Sequence, residues 1–284
     1  MKIGISLSNY GLLPSSSFLK DAALEIEQLE LDSIWVSDHI IVPKSDTPWN
    51  RVFESVTTLA FLASITEHVQ LGSSILLVPL REPLVLAKQI ATLDSLSNGR
   101  VMIGIGIGWN KKEFDLLGYD FKNRTKTIAE NIGIMRKMWA GEYSKQGYSC
   151  EPMPISDNGP PILIGGQSDG ALKRVATIGD GWHPVGISPQ EYGLGMQKIM
   201  QLKKGNFIWS LRINFTANQK IESRYTGTDG TPRLRLVGNI DELISQIQEY
   251  QKIGLTHLVC DVRADSKKEY FEQLKTIREI KNSF

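Results

Sequence analysis

Short β-branched runs alternate along this 284-residue chain with longer stretches of helical periodicity, and that alternation restricts the fold to the α/β class. The strand candidates span 2–7, 33–37, 69–76, 101–105, 162–164, 181–183, 208–214 and 257–261. They alternate with helices and not with each other, so parallel pairing through βαβ crossovers is expected. Eight such units favour a single (β/α)8 TIM barrel over residues 1–284; a doubly wound open sheet is the alternative.

The intervening segments carry helix chemistry. Phe18, Ala22, Ile26 and Leu29 share one face at helical spacing, as do Leu86, Ile90, Leu93 and Leu96. Pro83 suits a first helical turn and Asn98-Gly99 a left-handed exit. Ser188 with Glu191 and Asn239 with Glu242 read as capping boxes, while Gly179 and Gly254 end helices just before strands. Two irregular stretches, 141–161 after the fourth strand and 216–235 after the seventh, read as insertions over the catalytic face, because the rhythm resumes in phase after each.

Charge excludes some function classes. Thirty-two Lys+Arg against 31 Asp+Glu leave a formal net charge of +1 without any block of like charge, so neither nucleic acid nor a membrane surface is an expected partner. Cys150 and Cys260 lack CxxC partners and read as free thiols. No secretory signal and no window of ~20 apolar residues is present, so the cytoplasm is the expected location. His68, His183 and His257 show no metal-ligand spacing, and no GxSxG nucleophile turn occurs.

Three strand ends stand out. In a βα-repeat protein reactive groups collect at the carboxyl ends of strands, so Ser37-Asp38-His39, the run Leu71-Gly72-Ser73-Ser74-Ile75-Leu76 and the stretch Ile164-Gly165-Gly166-Gln167-Ser168 suggest one composite site for a large ligand. His39 can hold a proton donor or acceptor over a substrate or heterocycle; alternatively it caps a loop while Asp38 caps a helix. Gly104, Gly106 and Gly108, leading to Trp109, leave one strand face bare for a ligand or for a tight barrel interior, and their spacing differs from the dinucleotide GxGxxG. The turn at Gly165–Ser168 precedes a helix, offering backbone N–H groups and the Ser168 hydroxyl to an anion, although Ser168 as a plain N-cap is the alternative. Trp109 and Trp182, at strand ends, wall a slot for a flat ring or simply pack.

Together these residues resemble the luciferase-like monooxygenase superfamily, with greatest similarity to its branch using the deazaflavin coenzyme F420. The resemblance is carried in order by Trp35–His39, Leu71–Leu76 with Pro79-Leu80-Arg81, Gln89 to Arg100, Gly104–Trp109 with Glu113-Phe114, Pro161–Ser168 and Gly179–Trp182. It implies an isoalloxazine or deazaflavin ring across the barrel mouth, with Asp38 and His39 at the ring and His39 handling a proton. It also implies a cis peptide between Ser74 and Ile75 behind the ring, a strand end of Gly106, Gly108 and Trp109 beneath the cofactor, and a phosphate on Gly165, Gly166 and Ser168. Ser73 and Gln167 flank these positions and belong to the expected cofactor site. Branch members that act on a sugar phosphate carry an acidic residue where this chain has Trp109, which argues against such a substrate.

The implied activity is hydride transfer between coenzyme F420 and a small organic substrate, with no metal and with a homodimer as the expected assembly. An FMN-dependent monooxygenase is the alternative, and a non-catalytic flavin-binding barrel a second. A phosphosugar isomerase would need a carboxylate base at a strand end, for which Asp261 is the spare candidate.

Overall fold

The computed structural model describes residues 1–44, 49–217 and 221–284. Its strands are β1 (Lys2–Ser6), β2 (Ser33–Val36), β3 (Gln70–Leu77), β4 (Val101–Gly106), β5 (Ile162–Ile164), β6 (Gly181–Trp182), β7 (Ile208–Ala217), β8 (Arg224–Thr226), β9 (Pro232–Gly238) and β10 (His257–Val262). The helices are α1 (Ser16–Gln28), α2 (Ser55–Ala63), α3 (Pro83–Leu96), α4 (Lys111–Leu117), α5 (Arg124–Trp139), α6 (Asp169–Ile178), α7 (Pro189–Leu202), α8 (Ile240–Lys252) and α9 (Lys267–Lys281). From β1 to β7 each strand pairs parallel with the next, and β10 pairs with both β7 and β1, which closes the ring. That double pairing excludes the open sheet and makes the fold a (β/α)8 barrel.

Two cores follow from strands buried on both faces. Outside the barrel, helix stripes such as Phe18, Ala22 and Ile26 lie flat on the strands, and Phe18 meets Tyr270 of α9 edge-on at 5.1 Å, so the first and last helices lock together. Each large side chain so buried contributes about 1.5–3 kcal/mol. Inside the barrel Trp35, Met102, Leu163 and Val259 form a separate apolar plug.

Local chemistry works largely as read. Pro83 opens α3, both capping boxes are formed, and Asn98 (φ 58°) and Gly99 (φ 77°) make the left-handed exit. The α3 stripe is one correction: Leu86, Ala87, Ile90, Ala91, Leu93 and Asp94 turn inward, and Leu96 falls off that stripe and is 71% exposed.

The insertions differ from expectation. Segment 141–161 joins the end of α5 to the start of β5, so it lies at the amino-terminal end of the strands, away from the catalytic face. Lys88 of α3 donates to its Cys150 and Glu151 carbonyls, and Ile155 N–H donates to Asp94 at 2.9 Å. The second insertion, read as irregular, is ordered: β8 pairs antiparallel with β9, and β9 runs parallel along the outer end of β7. Positions 218–220 of that insertion lie outside the described residues. This hairpin does stand at the catalytic face.

Candidate active site at the barrel mouth

The carboxyl ends of β2, β3, β4 and β5 converge on one cavity of about 790 Å³, large enough for a cofactor-sized ligand. Asp38, His39, Ser74, Ile75, Gly106, Gly108, Trp109, Gly165, Gly166, Gln167 and Ser168 all line it. Ser73 does not; its hydroxyl donates to the Gly104 carbonyl at 2.8 Å and stitches β3 to β4 below the floor.

His39 is held by a partner the local pattern did not single out. Its Nδ1 lies 2.8 Å from Oε2 of Glu113, and both residues are buried. The other Glu113 oxygen accepts the Ile40 N–H at 2.6 Å and the Ile41 N–H at 3.1 Å. A carboxylate oxygen accepts, so Nδ1 carries the proton and Nε2 is the imidazole atom left to act on a ligand. Asn110 caps α4, accepting the Lys112 N–H, and Glu113 falls in the first turn of that helix, where a carboxylate is favoured. Two indoles flank the imidazole edge-on, Trp49 at 4.9 Å and Trp109 at 5.9 Å.

Asp38 faces a different task. Arg81 donates to both of its oxygens, at 2.7 and 2.9 Å, and Leu77 N–H to one at 2.9 Å. Arg81 also binds Glu54 at 2.9 Å. Asp38 therefore ties the His39 loop to the end of β3 and caps no helix among the described residues.

The floor is built around Ser74–Ile75, whose peptide bond is cis. Ile75 fills the space above β4: a Cβ at Gly106 would stand 2.0 Å from its Cδ1, so this glycine makes room for Ile75. Beneath it, Ser74 Oγ bonds Nε2 of His183 at 2.7 Å, and Nδ1 of His183 bonds Ser210 Oγ at 2.7 Å. His183 stacks on Trp35 with ring centres 4.7 Å apart. Burial, then the charges of Arg212 and His257, push its pKa down to about 3, so the ring is neutral. His183, which motif spacing passed over, is thus a strut of the site.

Arg212 completes the floor. It donates to Ser37 Oγ at 2.9 Å, the Ser74 carbonyl at 2.5 Å, Tyr10 Oη at 3.1 Å, and Asp261 from Nε at 3.2 Å and Nη2 at 2.8 Å. Burial alone would lower its pKa, but Asp261 and Tyr10 offset this and the net direction is up. Asp261, the spare base candidate, is consequently a counter-ion, shared with Arg263 at 3.1 Å. The available signal was a charged residue within the strand candidate 208–214, where an unpaired buried charge would be prohibitively costly.

The β5 end has the character of an anion site. Gly166 adopts φ 89°, a conformation that glycine reaches without strain. Ser168 is the N-cap of α6, accepting the Ala171 N–H at 3.3 Å. Arg124 and Arg174 line the same cavity, and Nε of each is buried without a hydrogen-bond partner among the described residues. Burial lowers the Arg174 pKa and the neighbouring Arg124 charge lowers it further, so a bound anion would relieve both. Trp182 does not wall the cavity; it is buried, stacks on Tyr192 at 4.8 Å and donates to the Gly166 carbonyl at 2.8 Å, holding the turn from behind.

Among the described residues no His, Cys, Asp and Glu side chains cluster closely enough to hold a metal ion, and no helix is long and apolar enough to cross a membrane.

The carboxyl-end mouth of this closed parallel barrel, edged by arginines and holding a fixed imidazole, has room for a large ligand. The family model of luciferase-like monooxygenases matches residues 2–205, and the chain belongs to that family, which makes it an oxidoreductase. It is 29% identical over 195 residues to the F420-dependent glucose-6-phosphate dehydrogenase of Kineococcus radiotolerans, covering 64% of this chain and 56% of that protein. An F420-dependent secondary alcohol dehydrogenase in complex with an F420–acetone adduct superposes with a TM-score of 0.79 at 16% identity, covering 98% of this chain and 97% of the other. A type II Baeyer–Villiger monooxygenase, the FMN-bound oxygenating constituent of 3,6-diketocamphane monooxygenase of Pseudomonas putida, superposes with a TM-score of 0.78 at 15% identity and the same coverage. The two structures share the fold.

Proposed function

We propose that this chain is a coenzyme F420-dependent oxidoreductase transferring a hydride between the deazaflavin and a small organic substrate. The observation that carries the reading is His39, fixed by Glu113 in the wall of a cofactor-sized cavity with Nε2 free of protein partners among the described residues. When bound, the deazaflavin supplies a two-electron hydride couple with carbon at ring position 5. The protein does the rest. Ile75 and the Ser74–His183–Ser210 column support the ring position, and the Gly165–Ser168 turn with Arg124 and Arg174 holds a phosphate. His39 Nε2 gives or takes the proton that accompanies reduction or oxidation of a substrate carbonyl or alcohol. The indoles of Trp49 and Trp109 flank the imidazole edge-on and hold its plane. Trp109, standing where sugar-phosphate enzymes of this branch carry an acid, favours a substrate other than a sugar phosphate.

The same floor and phosphate donors suit FMN, the second reading. Titration of the purified protein with coenzyme F420 and with FMN, followed by chromophore absorbance, separates the two. Tenfold or tighter preference for F420, with substrate-dependent loss of its absorbance near ~420 nm, is the expected result. Preference for FMN assigns the monooxygenase, and binding without turnover assigns a carrier.

A further inference from the structure

The cavity wall opposite the Gly165–Ser168 turn carries a charge that the cofactor reading leaves unused. Arg212 has five N–H groups and gives all five to protein acceptors, so it has nothing left for a ligand. Arg263, at the end of β10, is different. It gives Asp261 one N–H at 3.1 Å, hydrogen-bonds Tyr10 while lying over that ring at 5.1 Å, lines the cavity with its remaining N–H groups uncommitted among the described residues, and keeps its side chain 42% exposed. One Asp261 carboxylate between two guanidiniums leaves this corner with an excess positive charge.

Tyr10 stacks in turn on Trp49 at 4.2 Å, and Trp49 and Trp109 flank His39. The hairpin fixes this arc from above, since Trp49 Nε1 donates to Thr228 Oγ1 at 3.1 Å. An aromatic corner beside the proton-handling nitrogen, running to an arginine with spare donors, selects both flatness and negative charge.

We infer that the substrate is a planar, conjugated organic acid, its flat part against Trp49 and Trp109 and its anionic group on Arg263. This rests on the cofactor reading above, because the phosphate turn must be occupied for the substrate to take the Arg263 side. Arg174 on α6 follows β5 and Arg263 follows β10, three strand positions apart in the ring, so the two guanidinium sites stand at different strand ends of the mouth.

Calorimetric titration of the cofactor-loaded protein with trans-cinnamate, cinnamamide and 3-cyclohexylpropanoate tests it. Cinnamate should bind about tenfold or more tightly than either the neutral amide or the non-planar acid. Arg263→Gln should abolish the preference for cinnamate over the amide while leaving the cofactor Kd within about twofold, and Arg174→Ala should weaken the cofactor and leave that preference intact when cofactor is saturating. Equal binding of cinnamate and cinnamamide, or a preference that survives Arg263→Gln, overturns the acid; equal binding of the cyclohexyl acid overturns the flat site. Failure of both coenzyme F420 and FMN to bind the native protein would instead overturn the reading beneath it.

Discussion

Nδ1 of His39 and Oε2 of Glu113, 74 positions apart in sequence, meet at 2.8 Å in a buried pair. Glu113 orients the imidazole and selects its tautomer, a positioning role typically worth 10–100-fold. Glu113→Gln, which can also present an N–H to Nδ1, should lower kcat by about that factor and leave the cofactor Kd within about twofold. His39→Ala should cost about 10²–10⁴ in kcat, again with cofactor affinity retained. Steady-state kinetics alongside cofactor titration check both, and unchanged hydride transfer in His39→Ala would remove the proposed role.

Arg174 and Arg124 should set cofactor affinity more than Ser168 does. Loss of one charge-assisted contact costs about 10–100-fold, whereas the Ser168 hydroxyl is already engaged as the cap of α6. Ser168→Ala should therefore lower stability by about 1 kcal/mol and affinity little. Gly166→Val combines a blocked approach with a side chain at φ 89°, and should weaken binding in a protein whose circular dichroism is unaltered. Affinities measured at two salt concentrations distinguish the arginines, whose loss should also flatten the salt dependence.

Glycines 104 and 106 look alike in the sequence but should respond differently to alanine. A Cβ at Gly104 would stand 2.3 Å from the Ser73 carbonyl oxygen, a backbone atom fixed in the barrel, while one at Gly106 meets only the tip of Ile75. Gly104→Ala should cost about 1–3 kcal/mol in stability. Gly106→Ala should cost less stability but displace Ile75 and weaken cofactor binding. Thermal unfolding of both variants with matched cofactor titrations tests the distinction.

Two buried histidines should make the barrel acid-sensitive. Burial, then Arg212 and His257, hold His183 at about 3; burial, then Lys2, partly offset by Asp32, does the same for His257, against an ordinary 6.5. Below pH 6.5 the unfolded chain takes up protons that the folded chain refuses until about pH 3. Stability is thus fully present above 6.5 and falls with decreasing pH, by about 1.4 kcal/mol per pH unit for each histidine. Denaturant unfolding at pH 7.5, 6 and 5 should show the steeper loss in the native protein than in His183→Gln or His257→Asn; identical slopes would count against buried neutral rings.

The eight barrel strands, the capping boxes at Ser188 and Asn239, the Pro83 start and the glycine turn before α6 were legible because each rests on interactions within a few residues: hydrophobic period, an orphan N–H, a positive φ. The same locality placed His39 and Gly165–Ser168 at strand ends, hence at one mouth once the barrel closes. What closure itself decided was not legible. The His39–Glu113 pair, the five bonds of Arg212, the His183 column between Ser74 and Ser210, and the arc from Arg263 to Trp109 join residues tens to hundreds of positions apart. Nor did local composition reveal that segment 141–161 turns away from the site while β8 and β9 stand over it. Which end of a strand a loop meets, and which buried polar group finds which partner, are set by the ring of parallel strands as a whole, since a desolvated charge or imidazole must be satisfied by whatever neighbour that ring supplies.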